Sequence, residues 1–155
     1  MLKLLFDSPP FSINSAYYKN GNRTVKCRNW GDHILDQLEQ YEDDFEAFRK
    51  EFDPTKHSLK VEIVHLYPRD ILFTVEGHIS SRSMDLSNIE KLPIDLICDK
   101  RFFERGNNNL NINDKFSTRM TSDKALSPDN KYKLLFRISI IPLVKTVFDI
   151  DEFFK

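Results

Sequence analysis

Met84 to Asp95 reads MDLSNIEKLPID, and the way this stretch folds decides what the rest of the chain has to be built around. If it is helical over most of its length, Asp85, Asn88, Lys91 and Asp95 recur at steps of three, three and four residues, which lines them along one side. At roughly 100° per residue, Ile89, Leu92 and Leu96 fall next to that line, so a stripe of two carboxylates, an amide and an ammonium borders a core. A metal-binding or acid–base site is commonly built at such an edge. A solvated helix face carrying ordinary charge pairs fits the same spacing. Pro93 removes one backbone donor and crowds the preceding turn, so the helix either starts late or kinks there.

Outward from this segment, strand patterns lie on both sides. Upstream, HSLKVEIVHLY (57–67) alternates, placing Leu59, Val61, Ile63 and His65 on one face and Lys60, Glu62 and Val64 on the other. Pro68-Arg69-Asp70 turns the chain, and ILFTVEGHI (71–79) is a further short strand by the same reasoning. Downstream, Gly106 and five asparagines between 107 and 113 mark a loop. FSTRMTSDKAL and KYKLLFRISII then read as two strands joined by Ser127-Pro128-Asp129-Asn130, which predicts a C-terminal β-hairpin. The tail VFDIDEFFK is apolar and acidic together, either a short terminal helix or a segment that docks on another subunit.

Two further elements come from the first third of the chain. LKLLF (2–6) is a strand that stops before Pro9 and Pro10. From Trp30 to Phe52, the apolar positions Trp30, Ile34, Leu38, Tyr41, Phe45, Phe48 and Phe52 follow helical steps, and Asp53-Pro54 ends the run. The aromatic stripe of this helix is core, and its acidic residues form a solvated face. Between strand and helix, SPPFSINSAYYKNGNRTVK is rich in turn formers. Its Tyr17, Tyr18, Lys19 and Arg23 either pack their rings on the core or present aromatic faces and cations together, a combination suited to a phosphate backbone.

Composition limits the classes of function. With 155 residues, 40% apolar and 30% charged, the chain is long enough for one globular domain with a real core. The net charge of -1 neither favours nor excludes a polyanion, but its distribution is uneven. Residues 1–28 carry five bases against Asp7 alone, residues 29–56 carry nine acids against three bases, and residues 116–155 carry seven bases against five acids. A nucleic acid would therefore meet the two ends of the sequence and avoid the acidic segment. Cys27 and Cys98 have no spacing for a disulfide framework or zinc site. His33, His57, His65 and His78 lack ligand spacing and read as structural or surface residues. No apolar run approaches the roughly 18 residues of a membrane span. The opening MLKLLFDSPP is too short in apolar residues for a secretion signal, so a cytoplasmic setting is expected.

Two separated patterns together resemble the RusA-type Holliday-junction resolvases, small dimeric endonucleases common in phages and prophages. PPFSINSAYYKNGNRT is similar to that family's P-P-S-x-N-x-x-Y loop after its first strand, and DLSNIEKLPID to its D-x-D-N-x-x-K-x-x-x-D segment. Asn113-Asp114 falls where the family carries a further acid ahead of the terminal strands, and the resemblance covers most of residues 2–142. It implies an α+β fold in a single RusA-like domain over residues 1–155, with a small mixed β-sheet, two main helices and the C-terminal hairpin. It also implies a Mg²⁺-dependent endonuclease that resolves branched DNA as a homodimer, with Mn²⁺ as a possible substitute.

Carried over, the resemblance implies that Asp85, Asp95 and Asp114 hold the metal, and that Lys91 lies beside the scissile phosphate and shares the catalytic role with them. Ser87, Asn88 and Asn113 support the cluster, while Asn14, Tyr17, Tyr18, Lys19, Arg23 and Arg82 contact DNA. These residue types suit phosphodiester hydrolysis, which needs an activated water and neutralisation of developing negative charge. Hard carboxylate oxygens suit Mg²⁺, which keeps several waters of its own. In one place the chain departs from the pattern: Ser87 stands where the family usually has a second Asp. It brings no negative charge, so metal affinity is lower, and a catalytically weakened or inactive DNA-binding or phage-interaction module is the alternative reading.

Overall fold

A computed structural model of the chain describes residues 1–98 and 109–155. Four strands, β1 (Leu2–Phe6), β2 (His57–Tyr67), β3 (Ser117–Leu126) and β4 (Lys133–Pro142), form one mixed sheet in the order β1-β4-β2-β3. β4 pairs antiparallel with β1 and β2, and β2 pairs parallel with β3. The period-two pattern sets the faces. Leu2, Leu4 and Phe6 of β1, Leu59, Val61 and Ile63 of β2, and Leu134, Phe136 and Ile138 of β4 are buried in one core on the inner face. His65 shares that face as expected and is buried with them.

Helices α1 (Val25–Leu38), α2 (Glu42–Glu51), and the short α3 (Arg69–Leu72), α4 (Leu86–Ile89) and α5 (Lys91–Cys98) bury residues against the inner face, and a last short helix, α6 (Ile150–Phe153), buries none. Trp30, Ile34 and Leu38 of α1, Phe45 and Phe48 of α2, and Leu92 and Leu96 of α5 join the strand residues in the same core. The single mixed α+β architecture is thus, at the coarse level, what the resemblance implied, although both long helices come from the first third of the chain. On the outer face, Glu62 and Arg137 are register partners, and the guanidinium grips the carboxylate through Nε at 2.6 Å and a second nitrogen at 2.5 Å.

Several elements differ from expectation. The helix read from Trp30 to Phe52 starts earlier, because the Thr24 side chain accepts from the Cys27 N–H and caps α1. It also breaks at Glu39–Tyr41, a single tighter turn. Tyr41 is held there because its hydroxyl accepts from Leu5 N–H at 3.0 Å and donates to Leu5 O at 3.1 Å, satisfying backbone groups on edge strand β1. Residues 71–79 do not form a strand: α3 is followed by a turn closed by an isolated bridge between Phe73 and Ile79. The tail forms a short helix, α6, whose Phe153 is exposed, as are the neighbouring Phe148 and Phe154.

The C-terminal hairpin is not made. β3 and β4 run either side of β2 and never pair, so the turn at 127–130 straddles the end of β2. There Ser127 N–H donates to Tyr67 O, and Arg69 N–H donates to Asn130 Oδ1. Apolar content accounts for the order. β4 (KLLFRISIIP) has enough apolar residues to occupy the middle of the sheet, whereas β3 (STRMTSDKAL) is polar and largely exposed and takes the edge. Of the expected asparagine-rich loop, residues 106–108 lie outside the described residues.

Candidate metal and nucleic-acid site

The polar stripe read as one helix is two. α4 ends at Ile89 and α5 restarts at Lys91, so Pro93 occupies the third position of α5. A first-turn residue has no intrahelical acceptor for its N–H, and proline is tolerated there. Because Lys91 and Asp95 are one turn apart on α5, the ammonium donates to Asp95 Oδ1 at 2.5 Å. The same ammonium reaches Asp114 Oδ2 at 3.5 Å. Asp114 opens a tight turn, Asp114–Phe116, which the Asn113 side chain caps by accepting from Lys115 N–H. Asn113 therefore serves the site by shaping the backbone under Asp114.

Lys91 thus joins carboxylates from two separate segments of the chain. Its pKa is raised, chiefly by the hydrogen bond it donates to Asp95 and further by the charges of Asp95 and Asp114. The three side chains are only partly buried, with 54% of the Lys91 side chain, 21% of Asp95 and 36% of Asp114 exposed, so the cluster is open to a ligand.

Asp85 stands one helix away, at the N-cap of α4, where its backbone carbonyl accepts from Asn88 N–H at 3.0 Å. Its carboxylate makes no capping bond to the helix. Among the described residues, no group of three or more His, Cys, Asp or Glu side chains is gathered as a metal site. Ser87 and Asn88 lie on α4, within four residues of Asp85.

The residues assigned to DNA contact divide into a loop and two flanking arginines. Tyr17 and Arg23 form an antiparallel bridge. Between them Tyr18 N–H donates to Asn22 O, Gly21 N–H donates to Tyr18 O, and Gly21 takes a φ of 82° that suits glycine. This tight loop leaves Tyr17, Tyr18 and Lys19 exposed side by side. Asn14 belongs to a short turn, Ile13–Ser15, capped by the Ser12 hydroxyl and packed against α4. The loop is thereby tied to the helix that Asp85 opens. Arg82 is engaged otherwise: its guanidinium donates to the backbone carbonyl of Asp70.

Sequence reasoning missed the support beneath Asp85. Met84 lies at φ 57° and ψ 162°, a region occupied almost only by glycine and costing on the order of 1–3 kcal/mol. Tyr67 donates its buried hydroxyl to Ser83 O at 2.6 Å, and Lys124 donates its ammonium to Met84 O at 2.6 Å and to Ser83 Oγ at 3.0 Å. One signal was available in the strand parity of β3, which sends Ser122 and Lys124 to the side of Ile63 and His65. A lysine facing inward from a strand asks for an acceptor.

Compared with protein-family models and with curated proteins, the chain matches none.

Proposed function

We propose that the protein is a Mg²⁺-dependent, structure-specific endonuclease that cleaves branched DNA, Holliday junctions among its substrates, as a cytoplasmic homodimer. The observation that carries this reading is the meeting of Lys91 and Asp95, one turn apart on α5, with Asp114 of a separate segment, which the RusA resemblance had joined to them. The donor type fits the ion, and Asp95 and Asp114 stand together, with Asp85 one helix away. Carboxylate oxygens are the ligands Mg²⁺ prefers, and the Asp95–Asp114 pair already draws one cation, the Lys91 ammonium, between its members. Asp85, Asp95 and Asp114 would hold the metal. When bound, Mg²⁺ supplies Lewis-acid neutralisation of the phosphate and makes a water more acidic.

The chain's own groups do the rest. Lys91 presents a positive charge where negative charge builds on the phosphate, and the two carboxylates fix its ammonium in place beforehand. Tyr17, Tyr18 and Lys19 offer ring faces and a cation to the DNA backbone, with Asn14 and Arg23 in the same segment, and Arg82, whose guanidinium donates to the Asp70 carbonyl, as a further contact. Recognition rests on branch shape and phosphate contacts. A two-fold dimer suits a four-way junction, which offers two equivalent strands for paired incision.

A second reading is favoured by Ser87, a neutral hydroxyl where the resemblance implies a carboxylate: a RusA-like module that holds DNA or a phage protein with weakened or lost cleavage. Incubation of a labelled four-way junction with Mg²⁺ or Mn²⁺ separates the two. The nuclease reading predicts incision by the wild type, abolished by Asp85→Asn or by Asp114→Asn while junction binding survives. Retention without nicking supports the module instead. Cleavage unchanged in both variants overturns the metal assignment, and DNA affinity indifferent to salt overturns the nuclease reading and the DNA-holding form of the second.

A further inference from the structure

The chain enters α4 through a conformation that L residues avoid, and two side chains from the sheet hold it there. Tyr67 ends β2 and fixes the Ser83 carbonyl, while Lys124 of β3, the register partner of His65, fixes the carbonyl of Met84. The Met84 carbonyl belongs to the same planar peptide unit as the Asp85 nitrogen. A donor clamped on that oxygen sets the orientation of the whole plane, and with it the direction in which the Asp85 side chain leaves the backbone. The Lys124 ammonium makes no ion pair with a carboxylate among the described residues, so its contacts are these two oxygens. Asp85 in turn makes no capping bond, so its carboxylate is not committed to the helix that it starts.

We infer that Lys124 is a positioning residue for Asp85: its ammonium, bonded to the Met84 carbonyl and the Ser83 hydroxyl, holds the peptide plane that aims this carboxylate into the site. The inference rests on the nuclease reading for its catalytic consequence, but the clamp itself is independent of it. Lys124 bonds a backbone carbonyl and a hydroxyl. It acts through the backbone, as groups behind a ligand commonly do, and removal of such a group typically costs about ten- to hundredfold in metal affinity or activity.

The test uses the full chain with Lys124→Met, which keeps the aliphatic stem and removes the donors, and with Lys124→Arg, which keeps a cationic donor. Two readouts are taken: the Met84 carbonyl ¹³C and Asp85 amide ¹⁵N resonances, and junction cleavage with its Mg²⁺ dependence. Lys124→Met is expected to move both resonances, to lower kcat roughly ten- to hundredfold, and to raise the Mg²⁺ requirement while the junction Kd stays put. Lys124→Arg is expected to keep the resonances near their wild-type positions and to recover most of kcat. Unmoved resonances in Lys124→Met overturn the clamp. Moved resonances with unchanged kcat and Mg²⁺ dependence overturn the positioning role. If Lys124→Met does not fold, Lys124→Arg decides: resonances displaced with kcat intact, or resonances kept with kcat lost, would overturn the proposal, whereas resonances and kcat that move or stay together support it. If the wild type does not cleave, the nuclease reading fails alone, and the resonances still judge the clamp.

Discussion

Lys91 is held by two carboxylates yet remains half-exposed, and these two facts separate its value to the fold from its value to the site. Exposed pairs contribute about 0–1 kcal/mol, so Lys91→Met should leave the unfolding midpoint almost unchanged. On the nuclease proposal the same variant should lose about 10²-fold or more in kcat in cleavage assays, because that reading puts the Lys91 charge at the reacting phosphate. Because its partners raise the folded-state pKa, the pair's contribution is fully present below the unfolded value of 10.5 and is lost only above it. Across neutral pH the pair is therefore insensitive to protons.

His65 behaves in the opposite way. Burial, helped by the charge of Lys124, lowers its pKa from 6.5 to about 4, so the folded protein keeps it neutral while the unfolded chain protonates it. Stability is then complete above pH 6.5 and falls as pH drops through 4, by on the order of 3 kcal/mol. Urea unfolding across this range should show that acid loss in the wild type and a flatter profile in His65→Leu. Equal slopes in the two proteins would show that His65 is not its source.

At the level of elements, what was legible in the sequence was whatever period and side-chain chemistry decide locally. Alternation in 57–67 gave β2 and its buried face, and helical spacing gave the buried stripe shared by α1 and α2. The missed boundaries depend on partners distant in sequence. The break at Glu39–Tyr41 follows from Tyr41 bonding Leu5, 36 residues away, and no window of helix sequence contains that information. The hairpin expectation failed for a related reason: a good turn joins neighbouring segments in sequence, but the choice of sheet neighbour goes to apolar content, and β2 intervenes. The start of α1 was available, since Thr24 is a favoured cap. Thr24→Ala should cost about 1 kcal/mol in chemical denaturation, and a neutral result would mean that packing alone sets this end.

For the molecule as a whole, the same division applies to the site. Spacing found Lys91 and Asp95, which share a helix, and only the resemblance connected them with Asp114, which the fold brings to the same ammonium. The kink at Met84 and the Lys124 clamp were not read, because they arise where a sheet edge meets a loop 40 residues away in the chain. The charge distribution makes a further prediction at this scale. The exposed Tyr17–Arg23 loop lies in the basic first segment, while α1 and α2 carry seven of the nine acids of residues 29–56, so on the nuclease proposal DNA should approach from the loop side. Lys19→Ala should then weaken junction binding for all sequences and reduce the salt slope of log K by about 1. An unchanged slope would place the phosphate contacts elsewhere. Among the described residues, no helix is long and apolar enough to cross a membrane.

The central claim is that Asp85, Asp95 and Asp114 share one divalent cation beside Lys91. Its most direct test is a Mn²⁺ titration of the full chain followed by NMR, since a bound paramagnetic ion broadens the resonances nearest to it. The account predicts selective broadening at these four residues at low Mn²⁺, reversed by excess Mg²⁺ and lost in Asp114→Asn. Broadening centred instead on the acidic residues of α2, or spread without preference over the surface, would contradict it.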